Sequence, residues 1–491
     1  MRIALFNLSP LLSSDGPRLI ASLLKRAGHK VNSIYLARAE PLLYSTDELV
    51  LLDAILSKSD LVMIGVYSTH AARAAQVTDF IHKNYPGLKV IWGGPHCISA
   101  PELSIRHADG VCFSEADESI IELVKRMEEG KDYLSTPNMA FNIKGNIVLN
   151  NVLPPFSDLD NLPYCDYDFA DQFLLDKNII PMNKEIFKER IALYPYNIPT
   201  LYVLASRGCP NNCSYCNNCR YTAIFNHNPI RIQDNNRIID ELEHTLERLN
   251  FVEMIGFGDD DFFVRSYEKL EDFAEKYKRR IGVPYGIAIS ANSFNKKKME
   301  ILLNSGLRII QMGVQSGSER VLKEVFHRNI KASKTRWAVQ QIVPYHSTHA
   351  LDLLLDFIID NPYETRDDII QTQNYIRELP FSVKLNIFFL SYFPGTPIYE
   401  RAISDGIIEL FTYESFRRYG RSELKYQKNY ETVLVLFTIY LRNKYKRYLT
   451  RVFLSILGSR FIRVIANILP HSFYASIGNL ILFKGIRKNK N

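Results

Sequence analysis

Cys209-Pro-Asn-Asn-Cys213-Ser-Tyr-Cys216 places three cysteines within eight residues of this 491-residue chain. It follows a strand-like run at Leu201–Ala205 and the turn Ser206-Arg207-Gly208. Three thiolates in one short loop can hold three corners of a four-iron cluster, and the fourth iron is then left open. A zinc site that adds Cys219 as a fourth thiolate is the alternative, although zinc ligands usually come as two separated C-x2-C arms. The spacing therefore favours an iron–sulfur cluster on Cys209, Cys213 and Cys216.

Cysteine usage indicates metal chemistry in a reducing compartment. Four of the seven cysteines fall within the eleven residues 209–219, a clustering that no disulfide framework needs. The chain starts Met-Arg-Ile-Ala-Leu-Phe-Asn-Leu, a strand-like run without the long apolar stretch and cleavage site of a signal peptide. We therefore expect a cytoplasmic protein.

The net charge of +7 is concentrated at one end of the chain. Residues 421–491 hold fourteen Lys and Arg against two Glu, a local charge of +12 that leaves −5 for the rest. A mildly acidic catalytic part argues against a nucleic-acid partner. The apolar runs of this tail are shorter than the roughly 18 residues that span a bilayer, and together with its basic residues they are typical of an interfacial segment. Peripheral membrane contact and a helical cap that buries its apolar face against the neighbouring domain are both open.

Apolar runs alternate with helical patterns in two separate parts of the chain. This alternation predicts parallel sheets, whose ligands bind beyond the carboxyl ends of the strands. The fold class is α/β: an N-terminal doubly wound parallel sheet, a partial (β/α)6 barrel and a helical C-terminal tail. The expected segments are a Rossmann-type domain at 1–130, a linker at 131–197, the barrel at 198–420 and the tail at 421–491.

The cysteine loop resembles the signature of the radical S-adenosylmethionine (SAM) superfamily. The shared features are the C-x3-C-x2-C spacing and the aromatic Tyr215 just before the last cysteine, and the resemblance covers about residues 198–400. It implies a [4Fe–4S] cluster whose open iron binds SAM, and reductive cleavage of SAM to a 5′-deoxyadenosyl radical. It also implies an external electron donor of the flavodoxin or ferredoxin type, and it places Tyr215 near the adenine.

The same resemblance implies SAM-binding residues at the strand ends of the barrel. Phe257-Gly-Asp-Asp-Asp-Phe262 matches the segment that meets the methionine ammonium, and Gly313-Val-Gln-Ser-Gly-Ser318 matches the segment that binds the ribose and carboxylate. The candidates are Asp259, Asp260, Ser290, Gln315 and Ser316. Helix capping or a solvated acidic turn is the other explanation for the aspartates.

The N-terminal domain resembles the cobalamin-binding domain found ahead of the radical domain in many of these enzymes. The implied contacts lie at strand ends and comprise Ser68, Thr69, Gly93, Gly94, Pro95, His96 and Glu115. The Asp-x-His-x-x-Gly motif that supplies a cobalt ligand in other cobalamin proteins is missing, so no such histidine would coordinate the metal. A doubly wound domain that has lost its cofactor and only docks is the alternative.

These resemblances imply a cobalamin-dependent radical enzyme, with C-methylation of a small-molecule or lipid-like substrate as the leading reaction. A ring-forming or rearranging enzyme, similar to the anaerobic magnesium-protoporphyrin ester cyclase, is the nearest rival. A methylthiotransferase is disfavoured because such enzymes carry three further cysteines in the N-terminal domain, whereas this chain has only Cys97 and Cys112 before residue 130. A non-catalytic zinc-binding interaction protein is the alternative from another class. The sequence names neither the substrate nor a catalytic side chain.

Overall fold

The protein is described here by a computed structural model. It describes residues 1–36, 43–143, 145–192, 197–227, 229–410, 429–444, 448–466 and 468–481. The predicted architecture is confirmed: a mainly parallel sheet is followed by a second, wholly parallel sheet and then by a helical C-terminal segment.

The N-terminal sheet has nine strands in the order β7-β6-β5-β4-β3-β1-β2-β8-β9. The central strands β1 to β5 pair in parallel, and helices connect them, as in a doubly wound fold. The strands are β1 Arg2–Asn7, β2 Lys30–Tyr35, β3 Leu61–Gly65, β4 Lys89–Gly93, β5 Gly110–Cys112, β6 Met139–Ile143, β7 Asn146–Leu149, β8 Gln172–Asp176 and β9 Asn178–Pro181. The helices are α1 Asp15–Arg26, α2 Thr46–Val50, α3 Asp53–Leu56, α4 Ala71–Asn84, α5 Pro95–Ser99, α6 Pro101–Ser104 and α7 Ser119–Glu128.

The expected linker at 131–197 does more than connect two domains. Its residues form the hairpins β6–β7 and β8–β9, which extend the two edges of the N-terminal sheet. The sequence prediction missed these strands because each is short and its apolar residues are interrupted by Asn, Asp or Pro. It also missed β2, whose polar Asn32 and Ser33 obscure the apolar pattern.

The second sheet has six parallel strands in the order β10-β13-β14-β15-β16-β17, which are the six strands predicted for the barrel. They are β10 Thr200–Val203, β13 Met254–Phe257, β14 Tyr285–Ile289, β15 Leu307–Gln315, β16 Asp352–Ile359 and β17 Lys384–Phe389, while β11 Ser206–Arg207 and β12 Arg231–Ile232 form a small separate pair. The helices are α8 Lys184–Ala192, α9 Asn218–Phe225, α10 Asn235–Arg248, α11 Tyr267–Arg280, α12 Lys296–Leu303, α13 Ala332–Ile342, α14 Tyr345–His349, α15 Arg366–Glu378 and α16 Pro397–Ser404.

Side-chain caps fix where several barrel helices begin. The carboxylate of Asp234 and the hydroxyl of Ser266 accept backbone N–H groups in the first turns of α10 and α11, and Thr365 forms a capping box with Asp368 at α15. Such caps satisfy amide donors that the helix cannot pair internally. Each helix therefore starts at a defined distance from the strand end before it.

Two bidentate ion pairs join the N-terminal domain to the barrel. Arg207 donates to Asp117 at 2.7 and 2.8 Å, and Arg231 donates to Glu115 at 2.8 and 2.7 Å. Arg207 lies two residues before the first cluster cysteine. Because bidentate guanidinium–carboxylate pairs are directional, they fix the position of the cysteine loop against the N-terminal sheet.

The described residues after position 428 form four helices. The first, Tyr430–Lys444, is called the anchor helix because it packs on α15 with Leu434, Val435 and Leu436 buried. The outer helices follow it and comprise Tyr448–Leu457, Arg460–Ala466 and His471–Ile481. Within the described residues, no helix combines the length and apolarity that crossing a bilayer would require.

Candidate cluster and cofactor site

The three predicted cluster cysteines line one cavity inside the barrel. Cys209, Cys213 and Cys216 border a space of about 380 Å³, together with residues from β10 and β13 to β16. Ser214, between two of the cysteines, is fixed by hydrogen bonds from its amide to the Phe326 carbonyl at 2.9 Å and from its hydroxyl to the Val325 carbonyl at 2.7 Å. These two hydrogen bonds hold the backbone of the cysteine loop in place beside the cavity.

The three cysteines border one common cavity. In the described part of the chain, no three His, Cys, Asp or Glu side chains are grouped closely enough to hold one metal ion. A four-iron cluster gives each thiolate its own iron, and all three cysteines border the same cavity. Burial raises the pKa of the Cys209 thiol to about 12 and that of Cys216 to about 11, so both are neutral thiols that release protons when they bind metal.

The three consecutive aspartates after β13 have different roles. Asp259 borders the cavity but is almost completely buried, and its carboxylate pairs with Arg265 at 2.7 Å and accepts the Ala205 amide at 2.8 Å. Asp261 accepts from the Phe263 amide and the Ser293 hydroxyl, and it does not line the cavity. Asp260 lines the cavity and is held by Asn218 at 2.9 Å. Desolvation and the two neighbouring carboxylates raise the pKa of Asp260 to about 6. Asp260 is therefore the carboxylate best placed to face a ligand ammonium.

Gln315 occupies a strained position at the end of β15. Its φ of +69° is left-handed, and the pairing of β15 with β16 shifts register between Gly313 and Gln315. Its buried side-chain oxygen has no hydrogen-bond partner within the protein. A strained backbone that directs an unpaired acceptor into a cavity is typical of a ligand-binding position.

Glycines in β13 and β15 allow two cavity-lining side chains to lie close to the strand backbone. A Cβ at Gly256 would lie 2.7 Å from the Tyr202 ring, and one at Gly313 would lie 2.4 Å from the Gln315 amide nitrogen. Glycines inside strands mark places where another group approaches the backbone closely. The two glycines therefore make room for the Tyr202 ring and the Gln315 amide, both of which line the cavity.

Sequence reasoning missed two charged residues of this cavity. Arg328 is buried, and it donates to the Cys213 sulfur at 3.4 Å and to the Gly313 carbonyl at 3.2 Å, while its Nε has no partner. Asp356 lies in β16 and accepts from Gln311 and Asn386. A carboxylate inside the apolar run Leu351–Ile359 was a usable signal for Asp356. Arg328 follows an irregular turn and had no such signal.

The other predicted SAM residues are placed unequally. Tyr215 lines the cavity and packs edge-on against Phe326 with ring centroids 4.9 Å apart. Ser290 also lines it, and its amide donates to Asp261 at 3.2 Å. Ser316 does not line it: its hydroxyl bonds to Thr372 of α15 at 3.1 Å and accepts the Ser318 amide. Ser316 therefore shapes the turn after Gln315.

The predicted cobalamin residues lie at the carboxyl ends of β3, β4 and β5. Thr69 is exposed, and Gly93, Gly94 and Pro95 are partly exposed. Gly94 has a φ of +101°, and a Cβ there would meet the Val66 carbonyl at 3.0 Å. His96 is buried beneath the loop with its Nδ1 3.0 Å from the Ser68 hydroxyl, and burial lowers its pKa to about 4.

Two buried hydroxyls near the same strand ends are available to a polar ligand. The Glu115 carboxylate, by contrast, is already occupied by contacts within the protein. The hydroxyls of Ser99 and Ser114 have no partner within the protein, which fits a cofactor lying over this edge. Both carboxylate oxygens of Glu115 bind Arg231, and one also accepts the Phe156 amide at 2.7 Å. Glu115 therefore holds the two domains together.

The cysteine loop and the loop after β4 touch each other. Asn217, next to Cys216, contacts the Pro95 carbonyl at 3.5 Å. Gly395, after β17, packs so closely on the Ser99 carbonyl that a Cβ would lie 2.1 Å from it. A ligand over the N-terminal loops would therefore lie beside the cluster cavity. The fold and the site are those of a two-domain metalloenzyme. Its barrel holds a cavity suited to an iron–sulfur cluster, and the carboxyl ends of β3 to β5 in the N-terminal domain offer a cofactor-binding surface beside that cavity.

Comparisons with known proteins agree with both halves of this description. Residues 203–376 match the Radical SAM superfamily, and residues 2–124 match the B12 binding domain. The chain is 25% identical over 373 residues to an uncharacterized methyltransferase of Pyrococcus horikoshii, covering 72% of each sequence. It is 22% identical over 399 residues to bacteriochlorophyllide d C-8(2)-methyltransferase of Chlorobaculum tepidum, covering 79% of this chain and 78% of that protein.

Among solved structures, the fold is similar to the radical SAM methyltransferase TsrM from Kitasatospora setae. The TM-score is 0.64 at 14% identity, with 82% of this chain and 76% of that chain covered. The chain thus carries a radical SAM domain at residues 203–376 and a B12-binding domain ahead of it at residues 2–124. Its cofactors are accordingly a [4Fe–4S] cluster, SAM and cobalamin.

The position of Arg328 predicts a large effect on SAM binding. We expect Arg328→Gln to weaken the equilibrium affinity of the cluster-loaded enzyme for SAM by about 10- to 100-fold. The variant would lose a charge-assisted hydrogen bond from the guanidinium to the carboxylate of SAM, and such a bond contributes about 1.5–3 kcal/mol. Arg336→Gln, which removes an ion pair with Glu378 and a cation–π contact with Tyr375, neither of which lines the cavity, is the matched control. Unchanged SAM affinity with normal iron content would show that Arg328 serves only the Cys213 sulfur.

Proposed function

We propose that this protein is a cobalamin-dependent radical SAM enzyme that methylates carbon in a small-molecule substrate. The observation that carries the proposal is the contact between the cysteine loop and the loop after β4, at Asn217 and Pro95. A methyl donor bound to the N-terminal loops would thereby share one reaction space with SAM bound in the barrel. The electron would come from an external donor of the flavodoxin or ferredoxin type.

The cavity residues fit SAM by charge and shape. We assign Cys209, Cys213 and Cys216 to the cluster, Asp260 to the methionine ammonium and Arg328 to the methionine carboxylate. Gln315 offers an unpaired acceptor to a ribose hydroxyl, and Tyr215 closes the side nearest the cluster loop. When bound, the reduced cluster supplies the electron that cleaves SAM, and cobalamin supplies the methyl group. The protein binds, orients and shields these groups from water.

At the N-terminal domain, the short loops at Ser68–Thr69 and Gly93–Pro95 are the proposed contacts for cobalamin. Backbone without bulky side chains allows a large planar ligand to come close. The unpaired hydroxyls of Ser99 and Ser114 add polar contacts that the sequence did not single out. Glu115 and the buried His96 are left out of this set because the Glu115 carboxylate is paired with Arg231 and the His96 ring is hydrogen-bonded to Ser68.

SAM products from the reconstituted enzyme test methyl transfer without knowledge of the substrate. The protein is loaded anaerobically with iron, sulfide and hydroxocobalamin, then incubated with a reductant and SAM that carries a trideuterated methyl group. We expect both 5′-deoxyadenosine and S-adenosylhomocysteine, with the deuterated methyl on cobalamin. A cyclase or rearranging enzyme would give 5′-deoxyadenosine without S-adenosylhomocysteine. That result, or failure to retain cobalamin after gel filtration, would contradict the proposal.

A further inference from the structure

The outer helices carry a concentration of exposed apolar side chains. Ten large apolar residues between positions 452 and 480 are exposed, out of twenty-two such residues in the described structure. This set is called the apolar tail surface and comprises Val452, Phe453, Ile456, Phe461, Val464, Ile465, Ile468, Leu469, Phe473 and Leu480. Soluble proteins rarely expose so many large apolar side chains in one short segment without a partner.

The helical spacing shows that these side chains form outward faces. In the helix Arg460–Ala466, the exposed residues are Phe461, Val464 and Ile465, the i, i+3, i+4 pattern of one helical face. In the helix Tyr448–Leu457, Val452 and Ile456 repeat the i, i+4 spacing. The helices Tyr448–Leu457 and Arg460–Ala466 therefore each carry an apolar face that is turned away from the protein.

The inward side of the same helices is already packed. Leu454, Ala466 and Tyr474 are buried, and Ala466 and Tyr474 form a cluster with Val433 of the anchor helix. The Tyr430 hydroxyl donates to the Leu457 carbonyl at 2.8 Å. The anchor helix is itself fixed to the barrel, since Glu431 pairs with Arg366 and Arg442 donates to the Leu379 carbonyl. The outer faces thus project from a folded base, and repacking them inward would require displacing this cluster.

The charge of the segment identifies what covers the surface. Apart from Arg442 and Arg463, which bind the Leu379 carbonyl and Glu431, residues 432–491 contain nine Lys and Arg and no Asp or Glu, whereas residues 1–420 carry a net negative charge. A second copy of the chain would bring two such basic segments together across a symmetric contact, which is unfavourable. Anionic lipid headgroups are complementary to basic residues that flank an apolar helical face. We propose that the apolar tail surface inserts into the headgroup region of an anionic membrane and docks the enzyme there.

Sedimentation of the full-length protein with lipid vesicles tests this proposal. We expect it to pellet with vesicles of phosphatidylcholine and phosphatidylglycerol, and severalfold less with phosphatidylcholine alone. The double variant Phe461→Ser/Ile468→Ser should lose most of the binding, because these side chains are 73% and 82% exposed. Leu410→Ser/Val50→Ser, which removes two apolar side chains that are 71% and 49% exposed elsewhere, should bind as the wild type does.

The same samples separate membrane docking from other occupants. Equal thermal unfolding of the two double variants establishes that both are folded. The proposal is overturned if the wild type stays in solution with anionic vesicles, or if Phe461→Ser/Ile468→Ser pellets like the wild type. A wild-type dimer that this variant dissociates, without vesicle binding, would instead assign the surface to a second copy. SAM cleavage should be unaltered in the variant, so the outcome is independent of the proposed reaction.

Discussion

Replacing Cys209, Cys213 and Cys216 together with alanine is expected to reduce bound iron, labile sulfide and SAM cleavage to background. The three sulfurs are the only cysteine atoms of the described structure that line the barrel cavity, and each would hold one iron of the cluster. Without them, SAM has no open iron to chelate and no source of the electron. Iron and sulfide analysis, with 5′-deoxyadenosine measured by chromatography, provides the readout.

Cys219→Ala is the matched control for this experiment. Cys219 is buried in α9, only three residues beyond Cys216, but it does not line the cavity. We expect this variant to keep about four irons per chain and full SAM cleavage. A zinc site that used Cys219 would behave differently, since its removal would release the metal, and the wild type would then hold zinc without sulfide. Such a result would reject the cluster assignment and the function that depends on it.

The sequence predicted the parts of this site that lie close together in the chain. The spacing of Cys209, Cys213 and Cys216 is local, so their common orientation follows from one loop. The six barrel strands were also predictable, because each is a short apolar run bounded by turn residues and separated from the next by a helical pattern. The position of Gln315 at the cavity was predictable for the same reason, since it lies at the end of a recognisable strand.

Contacts between distant parts of the chain could not be predicted in this way. Glu115 was assigned to cobalamin from its place at a strand end, yet it pairs with Arg231, 116 residues further along the chain. Arg328 reaches Cys213 across 115 residues. Neither partner is encoded in the local pattern, because the choice depends on how the two domains and the barrel strands come together.

The ion pair of Asp259 is another contact that the local sequence pattern did not predict. Substitution of Asp259 is expected to have a large effect on stability. The sequence placed Asp259 and Asp260 together as candidates for the SAM ammonium, whereas the structure gives them different surroundings. Both members of the Asp259–Arg265 pair are completely buried, and the Arg265 guanidinium also donates to the Ala205 carbonyl at 3.1 Å and lies 4.0 Å from the Phe262 ring centre. Asp259 thus ties β10 to the turn after β13 through Ala205 and Arg265.

We therefore expect Asp259→Asn to lower the free energy of unfolding by about 3–5 kcal/mol, since it leaves a buried guanidinium without its counter-charge. Asp260→Asn should change it by less than about 0.5 kcal/mol, because that side chain is open to the cavity, and should instead weaken SAM binding. Urea unfolding followed by circular dichroism, and SAM binding to the cluster-loaded protein, measure the two effects.

A double substitution distinguishes a structural role of Asp259 from a direct contact with SAM. Replacing a buried ion pair with apolar residues of similar size is often neutral for stability, so Asp259→Leu/Arg265→Met should recover much of the stability that Asp259→Asn loses. If Asp259 only supports the fold, the double variant should also recover SAM binding through Asp260. If Asp259→Asn is as stable as the wild type but no longer binds SAM, Asp259 is itself the ammonium ligand, and the division of roles between the two aspartates is wrong.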